Sequence, residues 1–121
     1  MDDRIKFSRQ QEKEVAKQLN GKVVTGSGNG DFNGGDVLLE DWFLECKTVI
    51  SEKKSYAIKR SVLDKMMEQA FEQQKDKAAL LFRFEPKGED WVVLDIDTFE
   101  NLLEEIKQLR RQINTKRLLG D

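Results

Sequence analysis

An α/β fold, with a mixed central sheet flanked by helices, follows from three features of this sequence. Two apolar runs, Val37–Leu39 and Trp42–Leu44, are joined by the polar pair Glu40-Asp41, the pattern of a β-hairpin. The run Ala78–Phe84 is apolar except for Arg83 and reads as an interior strand. Segments near 8–20, 62–75 and 97–113 carry apolar residues at helical spacing. With 121 residues, 38% of them hydrophobic, the chain suffices for one domain, 1–121, around a single core.

In chain order, Ser8 is expected to cap a first helix over about 8–20. Val15, Ala16 and Leu19 form its apolar stripe, and Asn20-Gly21 supply its stop. Lys22–Thr25 reads as a short strand. The loop from Gly26 to Gly35 holds five glycines, two asparagines and one serine. It is either a flexible connector or a surface that a sugar-phosphate backbone can approach closely, with Ser27 and Asn29 as donors. The hairpin follows, with Asp36 opening its first strand. Residues 48–59 are polar and basic without a helical stripe. They read as the end of the third strand and an exposed loop. Ser61 is expected to cap a helix over about 62–75, with Leu63, Met66, Met67, Ala70 and Phe71 on its apolar face.

After the apolar strand, Pro86-Lys87-Gly88 make a turn, and Trp91–Ile96 form the last strand. Asp97 or Thr98 caps a C-terminal helix reaching about Ile113. Its stripe, Phe99, Leu102, Leu103, Ile106, Leu109 and Ile113, is long for so small a domain. Part of it is expected to pack against a second subunit. Residues 114–121 read as a tail, basic and then apolar. The expected order is α-β-β-β-α-β-β-α.

Composition narrows the chemistry. There is no histidine, which removes His-based zinc sites, Ser-His-Asp triads and His-metal nucleases. Hydrolysis would rest on carboxylates, lysine and a metal. The single cysteine, Cys46, allows no internal disulfide and fits a reducing cytoplasm. No run of eighteen apolar residues and no signal-peptide pattern is present, so no membrane partner is expected. The net charge of −2 argues against a nucleic-acid partner, for which a basic excess is the usual footprint. The basic residues are grouped, however. Lys53, Lys54, Lys59, Arg60 and Lys65 follow the hairpin, while Lys107, Arg110, Arg111, Lys116 and Arg117 fill the C-terminal end.

Asp36 is followed nine residues later by Glu45-Cys46-Lys47. Side chains alternate along a strand, so Glu45 and Lys47 share a face and Cys46 points to the other. Cys46 reads as a small buried hydrophobe rather than a nucleophile. An antiparallel return brings the end of the second strand beside the start of the first. Two carboxylates and an ammonium group then converge. Carboxylate oxygens suit a hard, hydrated Mg²⁺, and a lysine suits a phosphate or an attacking water. In a chain that is 36% charged such a triplet also arises by chance. Here Glu45 and Lys47 continue an apolar strand, where charge is costly, and the glycine-rich loop stands directly before Asp36.

On these residues the chain resembles the PD-(D/E)XK nuclease superfamily, and within it the Holliday junction resolvases of archaeal and phage type. The resemblance runs from about Arg9 to Phe84 and rests on Glu12, Ser27-Gly28, Gly35-Asp36, Glu45-Cys46-Lys47 and a helix bearing Gln69. Glu12 is preferred to Glu14 because it lies seven residues before Leu19, as in the family pattern E-x-x-L-V-x-x-L. Glu14 then reads as a solvated helix acid. Gly35 stands where many members carry proline. The resemblance implies a restriction-endonuclease-like core. It implies Mg²⁺ or Mn²⁺ held by Asp36, Glu45, the Cys46 carbonyl and Glu12, with Lys47 catalytic and Gln69 facing the site. DNA contacts would come from Ser27, Gly28, Asn29, Lys53, Lys54, Lys59, Arg60 and Gln69. The implied activity is structure-specific endonucleolytic cleavage of four-way DNA junctions by a cytoplasmic homodimer, phage- or prophage-encoded. Two alternatives stand beside it: a restriction- or repair-type nuclease acting on duplexes, flaps or ends, and a non-catalytic DNA-binding module of the same fold.

Overall fold

A computed structural model of the chain describes residues 3–24 and 36–120. In order these form α1 (Asp3–Leu19), β1 (Lys22–Val23), β2 (Asp36–Leu38), β3 (Trp42–Lys47), α2 (Arg60–Glu72), β4 (Lys77–Phe82), β5 (Trp91–Val93) and α3 (Ile96–Leu118). The protein is α/β, with a five-stranded mixed open sheet in the order β1-β2-β3-β4-β5. The β3–β4 pair is parallel and the other three pairs are antiparallel. A parallel neighbour requires a crossover, which α2 provides between β3 and β4.

Both faces of the sheet are covered, and the alternation along β3 shows how. Leu44 and Cys46 pack with Val15 and Ala16 of α1, while Phe43 packs with Met66 and Ala70 of α2. β4 serves both layers, with Ala79 and Leu81 toward α1 and Ala78 and Leu80 toward α2. It is an interior strand, as its apolar run implies. Arg83, which breaks that run, lies just past the end of β4 and is buried.

Several boundaries differ from the sequence reading. α1 begins at Asp3, so Ser8 lies inside the helix rather than capping it. The first two turns carry no apolar stripe to announce them, but Asp3 complements the positive helix terminus. The stop is as expected: Asn20 adopts φ 56°, and the Gly21 N–H reaches the Ala16 carbonyl at 2.7 Å. α2 starts one residue before Ser61, and Lys59 precedes it without a side-chain cap. Within α2, Met66 and Ala70 are buried, but Met67 is half exposed and Phe71 is 85% exposed. The buried arc is therefore narrower than the expected face. β1 ends at Val23, and Thr25 lies outside the described residues.

The cap of α3 is Asp95, not Asp97 or Thr98. Its carboxylate accepts the Thr98 N–H at 3.0 Å and the Thr98 hydroxyl at 2.6 Å. That turn also ends β5 at Val93, short of Ile96. α3 continues to Leu118, so residues 114–118 are helical rather than a tail. Among the described residues, no helix is long and apolar enough to cross a membrane.

Candidate active site

The site is built on the β2–β3 hairpin. Leu39 donates its N–H to the Trp42 carbonyl at 3.0 Å, closing the turn over Glu40-Asp41. That register sets Asp36 directly opposite Glu45, Val37 opposite Leu44 and Leu38 opposite Phe43. Lys47, two residues beyond Glu45 on the same face, holds its Nζ 3.1 Å from Glu45 Oε1. β3 is hydrogen-bonded on both sides, to β2 and β4, so these side chains stand on an interior strand. Cys46 points the other way into the α1 layer. Burial raises its thiol pKa, and the nearby acids, Asp90 first, push the same way. It is an unreactive core residue.

The electrostatics centre on Asp36, which is 9% exposed. Burial is the main cause that pushes its carboxyl up to about 8, followed by a hydrogen bond to Glu45 and the charges of Glu45 and Glu12. Lys47 opposes the shift without cancelling it. The structure thus brings Asp36, Glu45 and Lys47 together, with Glu12 of α1 within electrostatic range. Two hydrogen-bonded carboxyls, Asp36 buried and Glu45 half-buried, present the donor chemistry that a hard cation displaces a proton to reach. Mg²⁺ is usually held by one or two carboxylates, completed by water and phosphate oxygens, and Asp36 and Glu45 fit that pattern. Among the described residues, no three His, Cys, Asp or Glu side chains gather closely enough to hold a metal unaided. Carbonyl, water or phosphate oxygens would have to complete the shell.

Lys47 also lines a cavity of about 360 Å³ together with Arg4, Ser8, Thr48, Tyr56 and Lys59. Three cations and three hydroxyls around one space suit a phosphate group. Tyr56 stacks on Phe82, ring centroids 4.5 Å apart and planes at 16°. Burial first, then the charge of Glu45, raises its phenol pKa. Residues 48–59 form no regular structure, yet they are tied down: the Lys53 N–H bonds the Phe84 carbonyl at 2.7 Å. Sequence reasoning did not find Arg4 and Ser8 as cavity residues, because it started α1 too late. The one signal for Tyr56 was an aromatic residue inside a basic loop.

A buried polar network locks α1 against this end of the sheet. Gln11 is fully buried, and its Nε2 donates to the Lys47 carbonyl at 2.9 Å and to Asp90 Oδ1 at 2.8 Å. Arg83, 2% exposed, meets Asp90 through two bonds of 3.0 and 2.9 Å and donates to the Pro86 carbonyl at 3.1 Å. The Nη2 that bonds Asp90 Oδ2 also reaches Glu14 Oε2 at 3.3 Å. Glu14 is thus an ion-pair partner rather than a merely solvated acid. Burial opposes the charge on Arg83, but Asp90 and Glu14 more than offset this and raise its pKa. Gln11 adjoins Glu12, so the network fixes this turn of α1 against the sheet.

The other expected contacts are dispersed. Lys53, Lys54 and Arg60 are exposed. Lys54 pairs with Glu52 at 2.9 Å and Arg60 with Asp64 at 3.8 Å, surface pairs that contribute little to stability. Gln69 is half-buried on α2, and no hydrogen bond joins its side chain to the acids among the described residues. It lies seven residues past Val62, the α2 residue that lines the cavity, about 10 Å farther along the helix. Ser27, Gly28 and Asn29 lie outside the described residues. No family model, curated protein or solved structure matches this chain.

Proposed function

We propose that this chain is a divalent-metal-dependent, structure-specific DNA endonuclease with a restriction-endonuclease-like core, its leading substrate a four-way junction. One observation carries this reading. Asp36 and Glu45 face each other across β2 and β3, with Lys47 Nζ 3.1 Å from Glu45 at the wall of a cavity lined by three cations, three hydroxyls and four apolar residues. Asp36, Glu45 and the Cys46 carbonyl would hold Mg²⁺ or Mn²⁺, with Glu12 close by. A bound ion of this kind acidifies water and offsets charge on the scissile phosphate. The chain's own groups supply the rest. Arg4 and Lys59 offer charge to phosphate oxygens, and Tyr56 and Thr48 offer hydroxyl donors. Lys47 stabilises charge developing in the transition state, or orients and helps deprotonate the attacking water. Resolution needs two symmetric cuts, so a homodimer with one site per subunit follows from the reading.

The test is cleavage of a synthetic four-way junction beside linear duplex, flap and single strand, with Mg²⁺, Mn²⁺ or chelator. Metal-dependent cutting of the junction above the other substrates is expected. Asp36→Asn and Glu45→Gln should abolish cutting while leaving circular dichroism unchanged. Lys47→Ala should lower the rate about 10²-fold or more, and Lys47→Arg should rescue poorly, since a guanidinium differs in shape and does not deprotonate. Equal cutting of duplexes or flaps selects the restriction- or repair-type nuclease. Binding without cutting in any metal selects the non-catalytic module. Full activity in both acid variants overturns the site.

A further inference from the structure

α3 is 23 residues long, and none of them is buried. One arc of the helix meets its own domain: Thr98 and Leu102 are half-buried, and Glu105 Oε1 lies 3.3 Å from Lys77 Nζ. An overlapping arc carries Phe99, Leu103, Ile106, Leu109 and Ile113, exposed by 47, 49, 45, 57 and 53%. A helix in water draws most of its stability from packing an apolar face, and this face is uncovered.

Two patterns on α3 share a centre. With the half-buried Leu102 set aside, the exposed members of the stripe are spaced 4, 3, 3, 4, which reads the same in both directions about Ile106. The charges are antisymmetric about the same residue. Before Ile106 every charged residue of the helix is acidic: Asp97, Glu100, Glu104 and Glu105. After it every one is basic: Lys107, Arg110, Arg111, Lys116 and Arg117. An antiparallel second copy, related by a two-fold axis at Ile106, sets Ile106 against itself, Leu103 against the partner's Leu109 and Phe99 against the partner's Ile113. The acidic half of each helix then lies along the basic half of the other. A parallel copy sets acid on acid and base on base, which is repulsive.

We propose that α3 is a homodimerisation element that pairs antiparallel with α3 of a second copy about a two-fold axis at Ile106. The proposal does not depend on the nuclease reading, and its test involves no cleavage.

Sedimentation equilibrium of the full chain at micromolar concentration should give twice the monomer mass of 14.1 kDa. Ile106→Glu should reduce it to 14.1 kDa without loss of the sheet signal in circular dichroism, because no α3 residue is buried. Polarity is read by disulfide trapping, since the native Cys46 is buried and silent. Phe99→Cys alone and Ile113→Cys alone should stay uncrosslinked, because identical positions would lie about 21 Å apart along an antiparallel pair. The two variants mixed and oxidised should give a covalent dimer. A monomeric wild type overturns the proposal. So does a dimer that survives Ile106→Glu, or homotypic crosslinking of Phe99→Cys with none in the mixture.

Discussion

Asp36 would combine two conflicting roles in the proposed site. It would serve there as a metal ligand, yet burial and two neighbouring acids favour its neutral form. Unfolded, its carboxyl titrates near 3.8; in the fold it titrates near 8. Between those values the folded chain keeps a proton that the unfolded chain releases, so stability falls as pH rises through that window. Without divalent ions, the melting temperature should therefore decline from about pH 4 to pH 8. Asp36→Asn should flatten that decline and melt higher than wild type at pH 8. Mg²⁺ or Mn²⁺ should raise the wild-type melting temperature and have little effect on Asp36→Asn. A pH-independent wild type would show that Asp36 is not under this strain. The alternation along Trp42–Lys47 made Asp36, Glu45, Lys47 and the opposed Cys46 legible in the sequence. The Gln11–Asp90 and Arg83–Asp90 bonds were not. Their partners are 79 and 7 residues apart, and no local pattern links them. The hint was Arg83 interrupting an apolar run.

Elements were legible where apolar period and turn chemistry agreed. The β2–β3 hairpin and the end of α1 met both conditions. Starts were harder to read, because Ser8, Ser61 and the pair Asp97-Thr98 each had the chemistry of a cap, whereas the α3 cap is Asp95. Only tertiary geometry selects the side chain that bonds an N–H three residues on. Gly21 shows how tightly one connection is drawn. A Cβ there would lie 2.6 Å from Leu39 Cδ2, 2.9 Å from Val37 Cγ1 and 3.0 Å from the Leu38 carbonyl oxygen. Val37 is fully buried and the carbonyl belongs to a paired strand, so neither yields easily. Gly21→Ala should cost about 1–3 kcal/mol, the usual range for overpacking. Urea unfolding should show a lower midpoint with an unchanged slope, and an unchanged midpoint would mean that α1 can shift away from β2.

Across the whole molecule, charge is abundant but sorted by sign. A net charge of −2 coexists with a cavity bearing Arg4, Lys47 and Lys59 and with a helix split into acidic and basic halves. The average concealed both from composition. DNA affinity should fall steeply with salt, and Lys59→Ala should reduce the slope of log K against log salt by about one if Lys59 meets a phosphate. An unchanged slope would leave Lys59 as a wall of the cavity only.

The two ends of the sheet also differ. Lys47 closes β3 at one end, whereas Lys77, which ties down Glu105 of α3, opens the parallel neighbour β4 at the other. Hydrolysis and assembly would thus occupy opposite poles, and disrupting one need not damage the other. The distinction would emerge in the timing of cuts. On a supercoiled plasmid extruding a cruciform, a paired enzyme would convert circles to linear DNA in one encounter. The Ile106→Glu chain would instead strike each strand independently, so nicked circles would accumulate first and linear DNA would follow with a lag. Identical product curves for the two chains would mean that strand cutting is not coordinated through α3.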